Sequence, residues 1–265
     1  MEEHLQDHTT KERTNTVRAV ERSLDILLCF TDSEENRLGL TDIAKRVGLH
    51  KSTVHRLLAS LESRGFVRRD SHSEMYQLGW RILQLASHVH HSEDISIVLL
   101  PLMIELRNFL GETISLYIRE GAERIRIQAV EGTQAVRRVA NIGHRFPLYI
   151  GASGKIFLAY SDPSLLEELK RNKTFPEGFS FEELSRQLSA IVEQGYAVSI
   201  QERELGAAAV AVPIFDRSHQ VIAALSVSGP VDRYDDQNVA QFAKEATAFA
   251  KNMSNLINQP HTIIR

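Results

Sequence analysis

A chain of 265 residues, 43% hydrophobic and 25% charged, has an ordinary globular composition and is long enough to bury one or two cores. No apolar run reaches membrane-spanning length, and the first thirteen residues, MEEHLQDHTTKER, are charged and polar where a signal peptide carries an apolar centre; the expectation is a soluble cytoplasmic protein with no membrane partner. The single Cys29 excludes an internal disulfide and argues against a cysteine-based metal site, and the net charge of −3 conceals a basic island, residues 37–81, with nine basic side chains against four acidic ones.

The first thirteen residues read as a disordered tail, and residues 14–79 as a small domain. TVRAVERSLDILLCF spaces Val17, Val20, Leu24, Leu27 and Leu28 as one face of an amphipathic helix. LTDIAKRVG follows, with Thr41 expected as the N-cap, Ile43, Ala44 and Val47 on one side, and Gly48 as the stop. HKSTVHRLLASLESRG then places Val54, Leu57, Leu58 and Leu61 on one face and closes at Gly65.

Two short helices across a tight turn containing glycine predict a helix-turn-helix, whose second helix enters the major groove. With the apolar face of that helix occupied, His50, Lys51, Ser52, Thr53, His55 and Arg56 remain outside. They are donor-rich groups at the end where base edges and phosphates are met. GFVRRDSHSEMYQLG adds two extended segments around a polar tip, a wing carrying Arg68 and Arg69 toward a DNA backbone.

LTDIAKRVGLHKSTVHRLLASLESRGFV, continuing into YQLGWRILQLA, resembles the winged helix-turn-helix of the isocitrate-lyase-regulator (IclR) family of bacterial transcription factors. The resemblance extends over most of the remaining chain. It implies a homodimer or a dimer of dimers that reads double-stranded operator DNA with its front domain and senses a small molecule with its rear one.

Residues 80–91, WRILQLASHVHH, read as a connecting helix. His88 and His91 share a face there but His90 does not, so the reading is a polar surface rather than a metal site. Residues 92–265 form the expected effector-binding and oligomerisation domain. A helix is expected from Pro101 to Gly111; strands at TISLYIRE, RIRIQAVE, AVRRVANI, GYAVSIQ, AAAVAVPIFD and QVIAALSVSG; and helices at 152–160, 163–171, 180–194 and 235–257. Hairpin-linked strands interrupted by helices predict an α+β domain built on an antiparallel sheet flanked by helices. The family resemblance implies the same architecture, related to GAF domains.

PLYIGASGKIFLAY contains a glycine pair followed by a lysine, but Gly151 and Gly154 are too close for a P-loop and Ile156 stands where a magnesium-binding hydroxyl belongs. Gly151, Ala152 and Ser153 instead open a helix, where backbone N–H groups suit a carboxylate and no cofactor. The two-residue period puts Ser226 and Ser228 on one face with Ile222 and Ala224, and Ala207, Ala209 and Ala211 on one face of their own strand. Alanines and serines under a helix start predict a small-ligand pocket, with Arg138 as a partner for the carboxylate.

Family effector positions match this sequence at Ala152, Ser153, Ser226 and Ser228. Where some members carry an aspartate and a cysteine, this chain has Ser199 and Ala209, so the resemblance does not carry a particular effector such as glyoxylate or pyruvate. The resulting expectation is a repressor of a catabolic operon that senses a small organic acid. Two rivals stand beside it: a nucleotide-sensing GAF-like regulator, and an enzyme, for which His144, His219 and His261 are the histidine bases of the second half and none is paired by motif.

Overall fold

The computed structural model describes residues 16–31, 36–89, 95–137, 141–171, 175 and 179–259, and forms two compact units divided between His91 and Ser92. The first contains α1 (Arg18–Leu28), α2 (Leu40–Arg46), α3 (Lys51–Ser63), a hairpin of β1 (Val67–Arg69) and β2 (Tyr76–Leu78), and α4 (Trp80–Val89). Ile26, Ile43, Val54, Leu58, Val67 and Tyr76 make its core. Gly48 turns the chain out of α2 with φ +64°, and the Leu49 N–H donates back to the Ala44 carbonyl at 3.1 Å, which fixes the corner between α2 and α3. Leu38 and Tyr76 exchange both backbone hydrogen bonds, tying the chain before α2 to the hairpin.

Two expectations are corrected here. Thr41 is not the N-cap of α2: Gly39 is, in extended conformation, and Thr41 sits exposed inside the first turn. The bridge at Leu38 brings the chain in one residue earlier, so Leu40 already has helical geometry. In α1, Val17, Val20, Leu24 and Leu28 face solvent, with Val17 at 64% and Leu24 at 53% exposure. Ile26, Cys29 and Phe30 enter the core instead, because at 100° per residue they lie on the opposite side of the helix from that stripe.

The second unit opens with α5 (Ile95–Leu110). Its start lies six residues before the expected one, and Pro101 stands inside it rather than at its head. The missing amide costs a hydrogen bond, but Ser96, Leu99, Met103 and Leu106 are buried along both halves and hold the helix through it. Then come β3 (Thr113–Glu120), β4 (Glu123–Val130), β5 (Arg145–Pro147), α6 (Ala152–Ala159), α7 (Pro163–Arg171), α8 (Phe181–Gln194), β6 (Ala197–Ile200), β7 (Ala207–Phe215), β8 (Val221–Pro230), a short 3₁₀ turn and α9 (Asp236–Ile257).

All strand pairs are antiparallel, in the order β5-β4-β3-β8-β7-β6. One sheet face packs on α5 and α9 through Leu116, Val210, Val212, Leu225 and Val227; the other meets the helical block α6 to α8 through Tyr117, Ala197, Ala211 and Ala224. The fold is α+β, an antiparallel sheet between two helical layers.

The strand expected at AVRRVANI does not form over its described residues, Ala135, Val136, Arg137, Asn141 and Ile142; the outer partner of β4 is β5. Ile222 also leaves the face predicted for it. A register irregularity opposite Ile214 and Phe215 places Ile222 and Ala223 together on the α5/α9 side.

Two glycines of the first unit differ in what they tolerate. A Cβ on Gly79 would overlap the Gly65 carbonyl oxygen, whereas one on Gly48 meets open space and only the left-handed backbone resists it. Gly79→Ala is expected to lower the stability of this unit by about 3 kcal/mol and Gly48→Ala by about 1 kcal/mol, read by denaturant unfolding.

Candidate functional site: nucleic-acid interface and ligand cavity

The front unit presents the N-terminal end of α3 to solvent. Val54 and Leu58 are fully buried, so the helix is anchored on one side, while His50, Lys51, Ser52, His55 and Arg56 are exposed and Thr53 is half-buried. Among the described residues none of these six side chains has a hydrogen-bond or ionic partner, which leaves their donors available. Arg68 and Arg69 are exposed on β1. They are less free: Arg68 lies over the Trp80 ring at 5.6 Å, and Arg69 pairs with Glu74 and lies over Tyr76 at 5.7 Å.

In the rear unit the sheet register sets the floor of a cavity. Ser199 of β6, Ala209 of β7 and Ser228 of β8 align across three neighbouring strands, with Ala211 and Ser226 one pair further along. The small side chains leave a cavity of about 40 Å³ beneath the start of α6, walled by Gly151, Ala152 and Ser153. The structure thus brings together seven of the eight sequence-predicted effector positions; the eighth, Arg138, lies outside the described residues. Ser153, Ser199, Ser226 and Ser228 are all buried, and their hydroxyls have no partner among the described residues.

The charged groups were not foreseen. Arg124 and Arg126 of β4, together with Arg203, line the same cavity around Tyr117 and Phe146. Arg126 donates from Nε and Nη2 to the Tyr117 hydroxyl at 3.0 and 2.6 Å, and from Nη1 to the Asn141 carbonyl at 3.3 Å. Arg124 donates to the Pro147 carbonyl, and its Nε has no partner. Burial pushes the Arg124 guanidinium down to about 10, with the Tyr117 phenol pulling the other way. Burial raises the Tyr117 phenol in turn, but the positive charges of Arg126, Arg124 and Arg203 outweigh it and leave the group below its usual range.

The helix tip is partly engaged already. The Gly151 N–H donates to Glu202 at 3.0 Å, so of the three expected main-chain donors only Ala152 and Ser153 stay open among the described residues. Lys155 is 3% exposed and is held by Glu202, Gln187 and the Val198 carbonyl. It braces α6 against the loop after β6, a structural duty distinct from that of a phosphate-binding lysine. Gly151, at φ +84°, and Gly154 make room for Arg124: a Cβ on Gly151 would come within 2.8 Å of its Nη2, and one on Gly154 would overlap its Nη1 and the Leu148 carbonyl.

Residues 87–255 match the family described as bacterial transcriptional regulator IclR C-terminal, and residues 19–71 match the IclR helix-turn-helix domain. The chain belongs to the IclR family. Its similarity to other IclR-family proteins runs over nearly the whole length. It is 33% identical to the HTH-type transcriptional regulator XynR of Escherichia coli, over 92% of this chain and 98% of that one. It is 29% identical to the transcriptional repressor IclR of the same organism, over 92% of each. Among solved structures, an IclR homologue from Microbacterium hydrocarbonoxydans complexed with 4-hydroxybenzoate superposes with a TM-score of 0.74 at 26% identity, covering 89% of this chain and 99% of that one.

Within this IclR-family chain the arginines were missed for a specific reason. RIRIQ alternates charge and isoleucine, which reads as arginines out and isoleucines in, yet Arg124 and Arg126 are buried and Ile125 and Ile127 are only half-buried. The available signal was the strand order: β4 pairs with a strand on each side and is covered by helices, so neither face is free for a charge. Tyr117→Phe removes the acceptor of two Arg126 donors in a buried site; the expected cost is about 2–3 kcal/mol, seen as a fall in Tm of about 5–10 °C.

Proposed function

We propose that this IclR-family regulator is a repressor of a catabolic operon, binding operator DNA as a homodimer through α3 and the wing and releasing or tightening that grip when a small organic acid enters the rear cavity. The observation that carries the reading is the start of α3, where six donor-bearing side chains at and beside its N-cap have no partner among the described residues and the opposite helix face is locked into the core. The basic balance of residues 37–81 supplies the sequence-independent attraction to phosphates. The 4-hydroxybenzoate held by the Microbacterium homologue, and the name of the Escherichia coli repressor, support an acid-sensing repressor by relationship. Coupling requires that the ligand bind one arrangement of the DNA heads more tightly than another.

The exposed α1 stripe supports the homodimer. Val17, Val20, Leu24 and Leu28 recur at the three- and four-residue intervals of a helix-packing seam, an apolar row that a second copy of the same helix can cover. A two-fold protein in turn calls for a two-fold operator, with half-sites about one helical turn or a multiple of it apart.

Arg56→Ala and Lys51→Ala are each expected to weaken operator binding by about tenfold and, where the lost contact is to phosphate, to reduce the slope of log K against log salt by about 1, measured by fluorescence anisotropy. Unchanged affinity and slope in the double variant would reject the α3 assignment. Leu24→Glu is expected to shift the protein toward monomer in sedimentation velocity and to weaken DNA binding with it; an undisturbed oligomer would remove α1 from the interface.

A further inference from the structure

Buried cations are ordinarily matched by buried anions, because an unpaired guanidinium loses its hydration and gains nothing in return. Arg124 and Arg126 depart from that pattern. They are 1% and 3% exposed, both line the cavity, and among the described residues neither has a carboxylate within ion-pair distance. Their hydrogen bonds go to carbonyls and a phenol, and the Arg124 Nε is left over. Lys155, the other buried cation there, is already matched by Glu202. Two buried guanidiniums therefore stand without a direct carboxylate partner among the described residues, with Glu202 acting on Arg124 only at longer range and Glu204 elsewhere on the cavity lining, beside the N-terminal end of α6, whose dipole adds to the same sign. The four serine hydroxyls without partners and the open Ala152 and Ser153 N–H groups offer further donors in the same small volume.

We infer that the effector is a short dicarboxylate of about two to four carbons, with one carboxylate on the Ala152 and Ser153 N–H groups and the other gripped by Arg124 and Arg126. This rests on the reading of the cavity as an acid sensor and narrows it to a charge class and a size. The cavity is small, about 40 Å³, and floored by alanines and serines, which favours the shortest dicarboxylates.

The test is isothermal titration calorimetry on the full chain at neutral pH and constant ionic strength. Oxalate, malonate and succinate are compared with acetate, propionate and butyrate, and with 4-hydroxybenzoate and inorganic phosphate. The best dicarboxylate is expected to bind at least about 30-fold more tightly than any monocarboxylate. Arg126→Gln is expected to collapse that preference to about threefold or less while retaining monocarboxylate binding, and Arg126→Lys to recover part of it. Should Arg126→Gln fail to fold, the wild-type ratio decides by itself. Monocarboxylates or 4-hydroxybenzoate binding as tightly as the dicarboxylates overturn the inference and leave the acid-sensing reading standing. Phosphate binding tightest overturns the dicarboxylate assignment, and no heat from any organic acid overturns both.

Discussion

Two guanidinium groups kept inside the rear unit, with no carboxylate at ion-pair distance among the described residues, impose the constraint around which the cavity is arranged. They sit on adjacent same-face positions of β4, and everything near them is shaped to hold positive charge in place: the Tyr117 hydroxyl accepts from Arg126, main-chain carbonyls take up other donors, and the rings of Tyr117 and Phe146 lie under the guanidinium planes. The approach of Arg124 to α6 is possible because residues 151 and 154 have no side chain. The alanine and serine floor follows the same logic, since larger side chains on β6 to β8 would fill the volume between the charges and the sheet.

The front unit depends on a different economy. Its core is small, and α3 has to serve as both structural member and reading head. Burying Val54 and Leu58 fixes the orientation of α3, and Gly48 sets the angle at which it leaves the turn, so the polar edge is aimed by the packing rather than by contacts of its own. That Lys51 and Arg56 have no partner among the described residues is the counterpart of that arrangement.

Much of this was legible in the sequence because local pattern and tertiary packing agree. Helical periodicity and glycine stops located α2, α3 and α6 to α9 within a residue or two, and two-residue alternation located β3, β4, β7 and β8. The failures have a common physical source: periodicity reports which face is apolar, not which face is covered. The apolar stripe of α1 faces solvent while Ile26 and Phe30 enter the core, and the alternation of β4 gave no sign that helices cover its arginines. Pro101 misled in another way, since its preference for a first turn is weaker than the burial of Leu99 and Met103 around it. The serine and alanine floor was readable because its residues are small on strands that otherwise carry valine and leucine; the loop carboxylate of Glu202 was not, because nothing in its neighbourhood distinguishes it from an exposed acid.

Gly154 has a bearing on how the rear cavity can diverge. Any side chain there would strike the Leu148 carbonyl as well as Arg124, so the tip of α6 is closed to variation by sterics alone. Ser199 and Ala209, by contrast, point into empty volume from the middle of paired strands, where a change of side chain leaves the backbone ladder intact. On the proposed reading of the cavity as an effector site, a lenient position lies in the sheet and a forbidden one in the helix, so a change of ligand is expected to be written on the strands.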